Sequence, residues 1–497
     1  MDKTVIGIDI GTNSVKALLL TNGQITDQAS SAFRPDFLGE GRVEQCPNVW
    51  WEAVKEVILK LTTAHNVEIA AIACAGQMHS SVFLDNSGNV IRKAILWNDT
   101  RTTTQTAQIT ESAGGESKLL NMVYNRSMEG FTLPKILWLR DNEPENFARL
   151  DKIIMPKDYI NYKLTGCIAT DISDAAGTGI FDVANGGWSI ELAKAVGLDT
   201  EIFPKVLQSA DIVGNVLPQI ARELGISPEA VVLAGGADNS CAAIGNGMLH
   251  YGQAVISIGT SGTVIAMLEN LPDKFTGDIH LFNYSRPDAF YAMGCMLCAG
   301  EGLMWLRSIF ASKDNYQGSQ KISLDDFDTL AKSISPGSGG LLFLPYLFGE
   351  RCPVCDSAAR GVFFGLSNTT TQSHMVRAVM EGVGYNIRAM FEMIESIAPI
   401  NEIFITGGGA KSPVWVQIIA DILGRALNML NIEEGPAFGA ALIAAAGAGI
   451  YADFESAKAD CLKIIRQIKP NRRDIYERHY GLFRELYTAN RELFKLL

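Results

Sequence analysis

Two stretches of this chain carry residue types that could hold a phosphate ester. Val5 to Gln24 reads VIGIDIGTNSVKALLLTNGQ, and Ala254 to Asn270 reads AVISIGTSGTVIAMLEN. Each sets glycine and threonine between two runs of apolar and β-branched residues, the pattern of strand, tight turn and strand. Such a turn gathers several backbone N–H groups and a hydroxyl at one point, which holds phosphate without net positive charge. Ile8-Asp9-Ile10-Gly11-Thr12 aligns on Ile256-Ser257-Ile258-Gly259-Thr260, an offset of 248 positions, half the chain. That spacing predicts a duplicated domain, with two turns gripping a polyphosphate from both sides. Asp9 beside the first turn suits Mg²⁺, which keeps several waters and takes few carboxylates, and Ser257 leaves the second copy without that carboxylate.

Three further clusters could act on a substrate. In AGGADNSCAAIGNG, Asp238 follows a strand and two glycines and begins a helix, where it fits either a helix cap or a general base, with Asn239 as a hydrogen-bonding neighbour. In CAGQMHSSVFL, His79 stands in a turn after a strand beside Gln77, Met78 and Ser80. In ILWNDTRT, Trp97 offers an apolar face next to Asn98, Asp99 and Arg101, which suits a polyol or a helix start. A glycine run, TGGGAKSPVW from Thr406 to Trp415, follows a strand and opens a helix, so its backbone could approach a nucleotide. It is neither a Walker loop nor a dinucleotide fingerprint, since Ala410 precedes Lys411 and the GxGxxG spacing is absent.

Positioning these groups requires alternating buried strands and amphipathic helices, an α/β pattern. VEIAAIACAG, VVLAGGADNS, GGLLFLPYLFGE and NEIFITGGGAKS read as strands, while VWWEAVKEVILKLTTA and SHMVRAVMEGVGYNIRAMFEMIESI have helical spacing. The C-terminal RRDIYERHYGLFRELYTANRELFKLL reads as an amphipathic helix packed on its own domain. The 497 residues exceed one ordinary core, and the boundary is expected within Gly245 to Gln253, giving domains 1–248 and 249–497 across a cleft. A formal charge of -12 argues against nucleic acid or an anionic membrane as the main partner. The start, MDKTVIGIDIGT, lacks the pattern of a signal peptide, and no apolar run is long enough to span a bilayer, so a cytoplasmic protein is expected. Cys295-x-x-Cys298 and Cys352-x-x-Cys355 have metal-like spacing, but the first pair lies in an apolar run and reads better as buried hydrophobes than as zinc ligands.

In this order the pieces resemble the FGGY carbohydrate kinases, within the sugar kinase, heat-shock cognate 70 and actin ATPase superfamily, over nearly the whole chain. TLPKILWLR from Thr132 and GVFFGLSNTTTQSHMVRAVMEG from Gly361 match the two family signatures. GQMHS, ILWNDTRT, PKDYINYKLTG, TDISDAAGTGIFD, LLFLPYLFGER and GGGAKSPVW look most like the xylulokinase branch. Ser80 after Met-His departs from that branch and is similar to many gluconate kinases, which leaves gluconate or another polyol as the alternative acceptor. A sugar-independent actin- or chaperone-like ATPase is the third reading.

The resemblance implies two ribonuclease-H-like domains flanking a catalytic cleft, and ATP-dependent phosphorylation of the terminal hydroxyl of D-xylulose. It implies Asp238 as base, Gln77, Met78, His79, Trp97, Asp99 and Asn239 against the sugar, and Asp9 and Asp238 on the Mg²⁺ side. Gly11, Thr12, Asn13 and Ser14, with Gly259, Thr260 and Ser261, become phosphate turns. Gly300, Gly407, Gly408, Gly409 and Ser412 lie near the nucleotide. A homodimer is compatible with the resemblance.

Overall fold

The computed structural model describes residues 4–65, 67–310, 324–432, 434–471 and 474–497. Two sheets dominate it, and they have the same plan. In the first, strands run in the order Gln24–Ala32, Ser14–Thr21, Thr4–Ile10, Ile69–Gly76, Val231–Leu233 and Ile212–Asn215. The first three are antiparallel neighbours, and the next two are parallel to Thr4–Ile10. The second runs His280–Asn283, Phe290–Met296, Gly262–Leu268, Gln253–Ile258, Glu402–Thr406, Leu427–Leu430 and Ile464–Ile468. Gln253–Ile258 again pairs antiparallel with its hairpin partner and parallel with the strand on its other side. The duplication expected from the paired turns is therefore a duplication of a whole sheet topology.

The hairpins form as the residue types predict. Val5, Ile6, Ile8 and Ile10 are buried, as a strand covered on both faces requires. The Asn22-Gly23 turn has φ 49° and φ 74°, the doubly positive geometry that matches the twist of the flanking strands. GGLLFLPYLFGE differs from its expectation: only Leu342–Leu344 is extended, and it pairs with Val362–Phe364 as a separate two-stranded unit outside the large sheet. Main-chain pairing of Glu350 with Asp356 then turns the chain after it.

The helices Asp238–Gly245 and Gly435–Gly447 pack on each other and cross between the halves. Gly435–Gly447 lies on strands of the first sheet, while Ala243 and Ile244 share a core with Val255, Ile265 and Met267 of the second. Glycine makes this closeness possible: a Cβ at Gly439 would stand 1.8 Å from the Cys241 carbonyl oxygen, and one at Gly7 would stand 2.0 Å from that of Ala437. The C-terminal helix Asp474–Phe494 buries Tyr476, Tyr480, Phe483 and Leu486 against its own half, packing on the long helix Gln372–Glu395, as its amphipathic pattern predicts. Among the described residues no helix is long and apolar enough to cross a membrane.

Candidate active site

The two turns stand at equivalent strand ends. Gly11 N–H donates to Ser14 O at 3.0 Å, and Gly259 N–H donates to Ser261 O at 2.9 Å. Asn13 is exposed at the first tip, and Gly259, Thr260 and Ser261 are exposed at the second. Gly300 braces the second turn: its N–H donates to Gly259 O at 2.9 Å, and a Cβ there would come within 2.6 Å of that oxygen. Ala299 and Glu301 donate to Thr260 O in the same way, so the start of the helix Gly300–Phe310 spends these N–H groups on the turn itself.

Beside that turn is a cavity of about 550 Å³. Gly259, Thr260, Gly300, Gly408, Gly409 and Ser412 line it together with the apolar walls of Leu303, Phe327, Met380 and Trp415. Gly407 has φ 91° and no room for a Cβ, which would lie 2.6 Å from Ile258 O, whereas Gly408 opens onto empty space. Ser412 caps the helix Pro413–Leu423 through Trp415 N–H at 3.0 Å and donates its hydroxyl to Asp328. A second cavity, of about 250 Å³, joins Gly407, Thr406 and Ser257 to Asp238 and Asn239. Of the five residues expected near the nucleotide, Gly300, Gly408, Gly409 and Ser412 share the larger cavity with Gly259 and Thr260 of the second turn, and Gly407 lines the smaller one.

Two carboxylates stand near the smaller cavity: Asp238 lines it, and Asp9 lies close enough to feel the charge of Asp238. Burial pushes Asp238 up to about 6, while the N–H of Asn239, donating at 2.7 Å, works the other way. Asn239 Nδ2 also donates to Asp238 Oδ1 at 3.0 Å. Burial, then the negative charge of Asp238, raise Asp9 to about 7, with Lys16 opposing them. An excess of negative charge at a strand end is what a hydrated divalent cation neutralises, so Asp9 and Asp238 are residues that could hold one. Among the described residues no group of three or more potential ligands forms a dedicated metal cluster.

The wall beyond Asp238 is built by the turn after Ile69–Gly76. Asn239 Nδ2 lies 3.6 Å from Met78 Sδ, which also receives Tyr291 Oη at 3.8 Å. His79 adopts φ 68°, and its ring stacks on Phe131 with centroids 4.6 Å apart. Burial pushes the His79 imidazole down to about 3, so it is neutral near pH 7. Its Nδ1 must then be the donor to Gly177 O, which leaves Nε2 as an acceptor. The main-chain oxygen of His79 is held by Thr132 Oγ1 at 3.1 Å and Lys135 Nζ at 2.9 Å, which fixes the turn.

Gln77 is buried, and its amide connects Gly11 O, Thr12 Oγ1 and Ser80 Oγ, so it braces the first turn. Trp97 donates from Nε1 to Thr12 Oγ1 at 2.9 Å and belongs to the same brace. Asp99 departs from its expected place against the sugar: it is 0% exposed, and its oxygens accept from Val43 N–H at 2.6 Å and from the Arg101 guanidinium. Arg101 in turn pairs with Glu44 and lies over the Trp138 ring. Ser80, whose type pointed to gluconate, is buried and accepts from Trp97 N–H at 3.1 Å.

Sequence reasoning missed the groups beneath this wall. Lys157 Nζ is buried among Asp158, Asp171 at 2.9 Å and Asp174 at 3.6 Å. Asp171 accepts from Ser173 Oγ at 2.6 Å, and Ser173 Oγ accepts from Ala237 N–H at 2.9 Å, immediately before Asp238. The only signal was Lys157, Asp158, Asp171 and Asp174 among the six charged residues of PKDYINYKLTG and TDISDAAGTGIFD, and nothing local distinguishes them from a solvated face.

Comparison with known proteins agrees with this geometry. The model of the FGGY family of carbohydrate kinases matches residues 4–245 with its N-terminal domain and 254–448 with its C-terminal domain. The chain is 37% identical to a xylulose kinase of Bacillus subtilis, covering 99% of this chain and 98% of that one. Its fold is similar to a xyloylose kinase from Brucella ovis, with TM-score 0.91, 31% identity and coverage of 99% and 100%. It is equally close in fold to a gluconate kinase from Lactobacillus acidophilus, with TM-score 0.91, 26% identity and coverage of 99% and 98%.

Proposed function

The chain belongs to the FGGY family of carbohydrate kinases, and from that premise we propose that it transfers the γ-phosphoryl group of MgATP to the terminal hydroxyl of D-xylulose, giving D-xylulose 5-phosphate. The observation that carries this reading is a pair of neighbouring cavities on either side of the Gly407–Gly408 link, one nucleotide-sized and the other lined by the Asp238 carboxylate. On this reading residues 1–248 supply the sugar site and residues 249–497 the nucleotide site.

Asp238 accepts the proton of O5 as that oxygen bonds to the γ-phosphorus and the bond to the ADP oxygen breaks. Its carboxyl, near 6, is ionised at neutral pH yet basic enough to take a proton in flight. Phosphoryl transfer asks little more of the protein than alignment and charge stabilisation. Met78 and the Nε2 of His79 align the sugar chain, the Gly11–Ser14 and Gly259–Ser261 turns hold the phosphates, and Asp9 and Asp238 would hold Mg²⁺. When bound, the cation neutralises charge on the transferring phosphate. Closure of the halves excludes water as a competing acceptor.

Gluconate is the second reading, favoured by the likeness to a gluconate kinase of the same fold. The cation nearest the tryptophan loop in sequence, Arg101, is already committed to Asp99 and Glu44 and is unavailable to a carboxylate. The direct test of the base is Asp238→Ala. Turnover should fall about 10³-fold while the ATP dissociation constant changes little; near-normal turnover would remove Asp238 from the role.

A further inference from the structure

The motif LFGER placed Glu350 and Arg351 in the chain without giving either a task, and the active-site account above leaves both unused. The main chain here is pinned tightly. Glu350 Oε1 accepts from Leu297 N–H at 2.9 Å and from Arg351 N–H at 2.8 Å, and its Oε2 accepts from Asn386 Nδ2 at 3.2 Å. Arg351 O accepts from Cys355 N–H at 2.7 Å. With its backbone held from the second half, the half-buried Arg351 side chain crosses to the first. Its guanidinium carbon lies 6.0 Å from the centre of the Trp97 ring, and Nη2 stands 3.9 Å from where a Cβ of Gly130 would be.

The other cations of this region are occupied. Arg101 is paired with Asp99 and Glu44, Lys135 with the His79 and Gly130 carbonyls, and Lys157 with three aspartates. Among the described residues no carboxylate pairs with the Arg351 guanidinium, and the adjacent Glu350 has both oxygens engaged elsewhere. The Cys295 thiol is within hydrogen-bond reach of the guanidinium, and as a weak acceptor it leaves most of the five donors of the fork for a ligand. The wall runs in order from Asp238 and Asn239, through Met78 and His79, to Phe131, Gly130 and Trp97, where Arg351 closes it.

We propose that Arg351 is the second half's contact to the sugar, donating to the oxygen at the end of the chain opposite the hydroxyl that Asp238 deprotonates. This rests on the sugar-kinase reading and deepens it. In a ketose the acceptor is the carbonyl or hydroxyl oxygen of the C1–C2 end; in an aldonate it is the carboxylate. Arg351 therefore serves either end group, and because it comes from the other half it also rewards closure over a substrate long enough to reach it.

The test compares wild type, Arg351→Gln and Arg351→Lys by steady-state kinetics with D-xylulose, D-gluconate, L-ribulose and glycerol, with KM for ATP and the thermal midpoint measured alongside. Losing one charge-assisted contact should raise the sugar KM by about 10- to 100-fold in Arg351→Gln, with partial recovery in Arg351→Lys. On this assignment the three-carbon glycerol is too short to use the contact, so its KM should stay within about twofold if the lost interaction is this single contact. A sugar KM within twofold of wild type, or an equal loss on every acceptor including glycerol, overturns the assignment. A wild type that ignores D-xylulose but phosphorylates another member of the panel overturns the substrate reading instead, and the Arg351 ratio is then read on the sugar it accepts.

Discussion

At the scale of the residue, the account turns on charge. Asp238 must be deprotonated to serve as base, and burial raises its pKa to about 6. A raised carboxyl is protonated over more of the acidic range, so kcat/KM for the sugar should climb as pH rises through about 6 and level off above 7 at saturating Mg²⁺. A profile flat from pH 5 to 8 would contradict the assignment. His79, pushed down to about 3, should add no titration of its own in that range.

Asp99 gives a different expectation. Removing it as Asp99→Ala leaves the nearly buried Arg101 without one of its two carboxylates, so urea unfolding should lose about 3 kcal/mol. Loss of sugar affinity at unchanged stability would instead return Asp99 to the substrate wall. The sequence pointed to Asp238, Met78 and His79 because each sits where a strand ends at glycine, and strand ends are where α/β proteins place ligands. It hid the bonding of Asp99 and Ser80 because their partners, Val43 and Trp97, are 56 and 17 positions away. A polar residue's type does not say which way it faces.

At the scale of the element, the paired hairpins and the parallel strands beside them could be read from β-branched runs bounded by turns. The crossing of Asp238–Gly245 with Gly435–Gly447 could not. Its small residues, GPAFGAALIAAAG, signal a buried helix but not whose sheet buries it. That helix covers the strand Thr4–Ile10 that carries Asp9, while its partner begins with Asp238, so the crossing fixes both carboxylates with respect to each other. Gly439→Ala would drive a methyl group to within 1.8 Å of the Cys241 carbonyl and force the helices apart. Its expected cost is at least about 2 kcal/mol of stability, together with lost turnover. Gly408→Ala is the control on the open side, where no atom lies within 4 Å. Unfolding midpoints that match for the two variants would contradict the tight crossing.

At the scale of the molecule, two sheets of one topology carry a turn at the equivalent edge of each, and two neighbouring cavities lie beside the second turn and Asp238. Duplication explains why the glycine-threonine turn occurs twice, and divergence explains Asp9 against Ser257: two carboxylates suffice beside a cation that keeps its waters. Composition and charge narrowed the partners to small molecules, but the choice among sugars depends on a wall assembled from both halves, which no single stretch of sequence displays. The most direct measurement is ADP release by the purified protein with MgATP and D-xylulose, D-gluconate, L-ribulose, glycerol or no sugar. The account predicts that D-xylulose gives the highest kcat/KM and stimulates ADP release well above the sugar-free rate. Equal release without sugar, or a preference for gluconate over D-xylulose, would contradict it.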